Sequence, residues 1–178
     1  MDILLHICCG PCLIYPFGRL KKEGFNIKGF YYNPNIYPRE EYNSRKGSVE
    51  LLSKDLDFDV EMAEYDDSDF FQATNVFKNT PERCLICWSL RLRKTAEYAK
   101  KNNLFLFSTT LLVSPYQDHA MLKQLGDKIA KETGIDFYYE DFRPGFRQAY
   151  KEARQKGLYL QKYCGCKYSI KQEASGVK

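Results

Sequence analysis

The stretch that decides the fold is residues 2–24, DILLHICCGPCLIYPFGRLKKEG. Asp2–Cys8 reads as a buried strand, because a strand covered on both faces is a short apolar run without polar alternation. Pro11 to about Glu23 reads as a helix. Gly24 closes it, since glycine adopts the positive φ of a helix end without a Cβ penalty. Between strand and helix stands Cys8-Cys9-Gly10-Pro11-Cys12, a turn crowded with thiols. A strand feeding a helix is the first half of a βαβ unit, and the rest of the chain repeats the alternation.

Asn26–Tyr32 is predicted as the second strand, ended by the turn signal Asn33-Pro34-Asn35. A charged helix follows over Arg39–Asp55, with Tyr42, Val49 and Leu52 as its apolar positions, and then a short strand over Asp59–Glu64. The acidic run Asp66-Asp67-Ser68-Asp69 is placed at the start of the next helix. From Cys84 to about Asn102, Leu85, Trp88, Leu92, Ala96 and Ala99 recur at steps of three and four, the period of one buried helix face. Leu104–Thr109 is a strand, Gln117–Thr133 a helix followed by Gly134, Asp136–Tyr139 a fifth strand and Phe146–Lys156 a further helix. A polar tail after Gln172 is expected to fray. Strands separated by helices imply right-handed crossovers, hence an α/β fold with a parallel sheet of about five strands and helices on both faces. Its 178 residues, 44% of them apolar, suit one domain with a real core. Ligands of such sheets bind beyond the carboxyl ends of the strands. The loops Cys8–Cys12, Asn33–Pro38 and Thr109–Pro115 should therefore share one rim.

No run approaches the ~18 apolar residues of a membrane span, and the opening run is too short for a signal-peptide core. The expectation is a soluble chain in the reducing cytosol. There, seven cysteines, an odd number, argue against a disulfide framework and for metal or catalysis. Cys8, Cys9 and Cys12 lie at a helix start, where backbone amides favour thiolate. Cys84 and Cys87 share a helical face, and Cys164-Gly165-Cys166 is a loop. Four thiolates from two such pairs would make a structural zinc site. The adjacent pair plus a third thiol exceeds that need. The surplus points to a centre with more than one metal, or to a cluster beside a redox-active thiol pair. A redox metal site is the reading the thiols support.

Other residues carry weaker signals. His6 inside the first strand reads as a satisfied core histidine. His119, beside Asp118 near the rim, reads equally as an iron ligand and as a solvated helix start. Asn33 and Asn35 offer amide groups to a polar ligand, or simply make a turn. Thr109 and Thr110 at the end of the fourth strand are candidate substrate contacts. Arg45, Arg91 and Arg143 suit phosphates or plain surface. The net charge of +4 is compatible with an RNA partner and proves none.

Five linked motifs resemble one family, in order, over about residues 2 to 170. They are Leu4-Leu5-His6-Ile7-Cys8-Cys9-Gly10-Pro11-Cys12; Phe30-Tyr31-Tyr32-Asn33-Pro34-Asn35-Ile36-Tyr37-Pro38 with Glu41-Tyr42 and Arg45; and Arg83-Cys84-Leu85-Ile86-Cys87 with Arg91-Leu92. Ser108-Thr109-Thr110-Leu111-Leu112-Val113-Ser114-Pro115-Tyr116 and Tyr163-Cys164-Gly165-Cys166 complete the set. The chain resembles the QueH-type epoxyqueuosine reductases, departing at Tyr37, where His is more usual. The resemblance implies a single Rossmann-like domain spanning residues 1–178 and the last step of tRNA queuosine synthesis, loss of the epoxide oxygen. It implies a [4Fe-4S] cluster next to an additional iron ion, without cobalamin. On that basis Cys8, Cys9, Cys12, Cys84 and Cys87 are metal ligands, and Cys164 and Cys166 are ligands or a dithiol relay. Asn33, Asn35, Arg45, Thr109 and Thr110 are substrate-binding, and Tyr116, Asp118 and His119 are candidate proton donors. The partners implied are the anticodon loop of a tRNA carrying epoxyqueuosine, with Lys21, Lys22, Arg39 and Arg45 on phosphates, and an external electron donor; no membrane is involved. The rival is a zinc-stabilised RNA-binding module. ATP chemistry is disfavoured, because Cys-Cys-Gly-Pro-Cys stands where a Ser-Gly-Gly phosphate cradle would be.

Overall fold

The computed structural model describes residues 1–78 and 80–170. The expected tail after Gln172 lies outside them. The first strand, β1 (Asp2–His6), is central because nothing polar interrupts it: Ile3, Leu4 and Leu5 are fully buried. Each such side chain contributes about 1.5–3 kcal/mol when removed from water. β2 (Asn26–Tyr31) pairs with it in parallel on one side, Leu4 opposite Lys28 and His6 opposite Phe30. β4 (Leu106–Thr109) pairs on the other, with His6 opposite Thr109. β3 (Val60–Met62) and β5 (Asp136–Phe137) form the edges, so the order is β3-β2-β1-β4-β5, all parallel.

α1 (Gly10–Lys22) and α2 (Arg39–Asp55) cross between strands running in one direction along the sheet. Right-handed crossovers put them on one face, and α6 (Phe146–Gln155) packs against α1 there. After α3 (Ser68–Thr74), the chain returns through α4 (Glu82–Lys101) to β4 and reverses direction. α4 and α5 (His119–Thr133) consequently pack together on the opposite face. The expected α/β architecture is therefore present, with β1 and β4 flanking the point where the strand order reverses.

Several boundaries differ from expectation for local reasons. β1 ends at His6, not Cys8, because Cys8 and Cys9 already belong to the turn into α1. The segment after β4 is a buried 3-10 turn, Thr110–Val113, started by Thr109 Oγ1 accepting from the Leu111 amide. α5 starts at His119, two residues late, because Asp118 caps it by accepting from the Met121 amide. Gly24 and Gly134 do take positive φ, 84° and 75°, at the ends of α1 and α5. Among the described residues no helix is long and apolar enough to cross a membrane.

Candidate metal centre

The rim at the carboxyl ends of β1, β2 and β4 is held together by side-chain bonds to the cysteine loop. The Cys8 amide donates to Thr110 Oγ1 at 3.0 Å, and that hydroxyl donates on to Cys8 Sγ at 3.2 Å. Asn33 Nδ2, in the loop after β2, donates to the Ile7 carbonyl at 2.9 Å. His6 is fully buried between Thr109 Oγ1 (2.9 Å from Nδ1) and the Tyr32 carbonyl (3.0 Å from Nε2). Burial, then the charge of Arg91, lowers its pKa to about 3, so it is neutral. The carbonyl takes the Nε2 proton, and Nδ1 accepts from Thr109. With both nitrogens used, His6 is the satisfied core histidine expected.

The loop so fixed brings three thiols into one place. Among the described residues, Cys8, Cys9 and Cys12 alone form a group of three or more possible ligand atoms within 4.8 Å of one another. All three are buried, at 8%, 0% and 4% exposure. Gly10 allows this crowding: a Cβ there would stand 2.7 Å from Ser48 Cβ, so glycine lets α2 lie against the start of α1.

The electrostatics of the triad is uneven. Hydrogen bonds from Cys12 and Cys9, helped by the nearby Arg91 charge and the Thr110 hydroxyl, hold the Cys8 thiol well below its ordinary pKa despite burial. Burial pushes Cys9 up, and hydrogen bonding to Cys8 pushes Cys12 up. A metal would bind here by displacing the protons that the thiols carry. Gln161 completes the pocket. Its Nε2 donates to Cys9 Sγ at 2.9 Å, lies 3.7 Å from Cys12 Sγ, and reaches the Tyr150 hydroxyl at 2.9 Å. Donors aimed at sulfur, with no carboxylate or imidazole in the set, fit a soft, thiolate-held metal centre.

A second thiol set stands beside it. Cys84 and Cys87 occupy the first turns of α4 and are half-buried; Cys164 is exposed and Cys166 buried. Burial raises Cys87 to about 12, and Cys164 and Cys166 add to the rise. Burial likewise raises Cys166, and both Cys164 and Cys84 lie near enough to contribute. The α4 thiols and the Cys164–Cys166 loop are thus neighbours, though among the described residues no three of their sulfurs come as close together as those of the triad. Arg91 links this set to the rim, donating to Cys87 Sγ (3.9 Å) and to Asn33 Oδ1 (2.7 Å).

The Cys164–Cys166 loop is tied to α2 and its approach. Gly165 O accepts from the Tyr37 amide at 2.9 Å, and Arg45 donates to the carbonyls of Tyr163 (2.8 Å) and Cys164 (3.3 Å). Glu41 pairs with Arg45 at 2.7 Å, so this guanidinium is buried and neutralised. The Tyr163 hydroxyl also donates to the Tyr37 carbonyl, and the Lys167 ammonium sits 4.0 Å from the Phe71 ring centroid.

Of the residues expected to bind substrate, Asn33, Thr109, Thr110 and Arg45 are buried and bonded to the protein, where they hold the cysteine loops. Asn35 Nδ2 reaches the Cys164 carbonyl at 3.5 Å, while its Oδ1 is buried without a partner. Asp118 caps α5, and His119 Nε2 lies 3.1 Å from the Ser114 carbonyl. Tyr116 is 84% exposed, its ring edge-on to Phe146, which in turn packs on Tyr150. Lys21 and Lys22 end α1, about 18 Å along its axis from the cysteines, so they face away from the rim. Gln161 and Tyr150 were not legible as site residues. Only the position of Gln161, three residues before Cys164, hinted at it.

Residues 3–172 match a family model described as epoxyqueuosine reductase QueH. A protein of that name from Dehalococcoides mccartyi is 37% identical over 168 residues, covering 94% of this chain and 91% of its own. One from Thermotoga maritima is 32% identical over 176 residues, covering 94% and 90%. Among solved structures, a predicted subunit of tRNA methyltransferase from Methanocaldococcus jannaschii superimposes with a TM-score of 0.57 over 86% of this chain and 74% of that one. At 14% identity it shares the fold alone.

Proposed function

Because the chain belongs to the epoxyqueuosine reductase QueH family, and is therefore an oxidoreductase of queuosine biosynthesis, we propose that it deoxygenates the epoxide of epoxyqueuosine in tRNA with an iron–sulfur centre held by its cysteines. The observation that carries this reading is the buried Cys8–Cys9–Cys12 triad with amide and hydroxyl donors aimed at its sulfurs. Conversion of an epoxide to an alkene and water consumes two electrons and two protons. A [4Fe-4S] cluster with an additional iron ion would supply the electrons and a Lewis acid for the departing oxygen.

The chain's own residues have assigned parts in this reading. Cys8, Cys9 and Cys12 hold one portion of the centre, and Cys84 and Cys87, facing Cys164 and Cys166, hold the other. Asn33, Thr109, Thr110 and Arg45 fix the loops that carry these thiols. The unpartnered Asn35 Oδ1 is the acceptor left for a substrate hydroxyl. Asp118 caps α5, and His119 Nε2 bonds the Ser114 carbonyl while its buried Nδ1 has no hydrogen-bond partner. Tyr116 and His119 are the proton donors to test, Tyr116 first, since its phenol is exposed on the flank that Phe146 and Tyr150 connect to Gln161. The partner is the anticodon loop of a tRNA, with the modified base turned out of its stack. An external donor supplies electrons, and the setting is the cytoplasm.

The deciding experiment is anaerobic purification followed by iron, sulfide and zinc analysis, EPR of the reduced protein, and turnover of epoxyqueuosine tRNA. About four or more irons per chain, a reducible EPR signal and product queuosine support the proposal. A second reading has its own observation. Cys8 Sγ and Cys9 Sγ are 3.7 Å apart, close to the ~3.8 Å of two thiolates on one tetrahedral ion with bonds of about 2.3 Å. One zinc per chain, no EPR signal and tRNA binding without turnover would select a zinc-holding RNA-binding module instead.

Gln161 gives a finer prediction. An N–H donor to a ligating sulfur stabilises the more negative, reduced state of a cluster. Gln161→Leu keeps the volume but removes the donor. The midpoint potential, measured by EPR-monitored titration, should move to more negative values while iron content stays near wild type. An unchanged midpoint would remove Gln161 from the centre.

A further inference from the structure

Two arginines are buried among the described residues, and they are neutralised differently. Arg45 has Glu41 at 2.7 Å. Arg91 is 4% exposed, yet among the described residues no carboxylate lies within 4.0 Å of it. A buried guanidinium without a counter-charge costs several kcal/mol, so a compensating negative group is required nearby. What surrounds it is sulfur and amide. It donates to Cys87 Sγ at 3.9 Å and to Asn33 Oδ1 at 2.7 Å, and its Nε has no partner. Asn33 passes the tether on to the Ile7 carbonyl, one residue before Cys8. The Arg91 charge also acts on Cys8 as well as on Cys87.

We propose that Arg91 is the counter-cation of the whole thiolate centre, a positioning residue between Cys8 and Cys87 that offsets the negative charge of the metal-loaded site. This rests on the reading that the cysteines hold metal. A site of several thiolates around a divalent ion, or around a cluster, is net negative, and burial makes that charge costly. The cation placed between the two thiol sets stabilises the loaded site, and most of all its reduced form. Arg91 is thus kept buried by the centre it serves.

The test separates charge from hydrogen bonding. Arg91→Gln keeps an amide donor for Asn33 Oδ1 and drops the charge; Arg91→Lys keeps the charge and drops the planar fork. Metal-free, reduced protein would be titrated anaerobically with cobalt(II), following the thiolate-to-cobalt charge-transfer bands, and the midpoint of the iron-loaded protein measured. Arg91→Gln is expected to weaken cobalt binding at least about tenfold, in the range of lost outer-shell partners, and to move the midpoint to more negative values. Arg91→Lys should restore most of both. Arg91→Gln binding cobalt like wild type, or Arg91→Lys failing as badly as Arg91→Gln, would overturn the proposal. Should Arg91→Gln fail to fold, Arg91→Lys decides alone: near-wild-type cobalt affinity supports the counter-cation, and a loss as large as that of Cys87→Ala overturns it. Wild-type protein that binds no cobalt would sink the metal reading itself, and this proposal with it.

Discussion

Cys9→Ala is expected to remove iron and turnover together, leaving a folded protein. Cys9 is fully buried, sits 3.7 Å from Cys8 Sγ and receives the Gln161 amide, so it has no access to solvent and no partner but the centre. Its backbone is extended at the N-cap of α1 and its side chain makes no capping bond. Alanine therefore costs the helix no cap, and the missing sulfur leaves only a small void. Loss of an outer-shell partner lowers metal-site activity by about 10–100-fold, so loss of a ligand should exceed about 100-fold. Circular dichroism should show an intact fold while iron analysis shows a depleted centre. Normal iron with full turnover in this variant would sink the assignment of Cys9 as a ligand.

The layout of this site was largely legible, because short-range signals fix it. The apolar run before Cys8, glycines after two helices and the 3.6-residue period through α4 are local facts. Right-handed crossovers then bring the loops after β1, β2 and β4 to one rim. That rim is where Cys8, Asn33 and Thr110 meet. What stayed hidden is long-range partnership. Gln161 is 152 residues from the sulfur it touches, in a loop without periodicity, and no local pattern marks a glutamine as a sulfur donor. Arg91 was visible only as one of several arginines. Its lack of a carboxylate becomes meaningful once burial is known. Thr109, Thr110 and Asn33 were placed on the rim but read as contacts for substrate. A motif gives a residue's location, whereas its hydrogen-bond partners decide which way its polar atoms point.

Gly165→Ala is expected to release the Cys164–Cys166 loop and disable the second thiol set, with the sheet and the Cys8–Cys9–Cys12 triad unaffected. Gly165 has φ of +105°, a conformation that a side chain adopts only at a cost of order 1–3 kcal/mol. There is also no room for one. A Cβ would stand 2.9 Å from Ile36 Cγ1 and 3.2 Å from both Arg45 Nη1 and Asn35 Nδ2. Arg45 cannot withdraw cheaply, because Glu41 and the carbonyls of Tyr163 and Cys164 hold all three of its nitrogens. Ile36 is buried and has no exit. The strain is then relieved by lifting the loop, which breaks the bond from the Tyr37 amide to Gly165 O and carries Cys164 and Cys166 away from Cys84 and Cys87. Gly24→Ala is the control: its φ is +84°, yet nothing lies within 4 Å of the new Cβ, so it pays backbone strain alone. Limited proteolysis should cut Gly165→Ala within residues 160–170 faster than either Gly24→Ala or wild type. Its metal content should fall short of wild type, and turnover should fall with it. Wild-type protease resistance and metal content in Gly165→Ala would show that the loop accommodates the side chain in place, and would overturn this prediction.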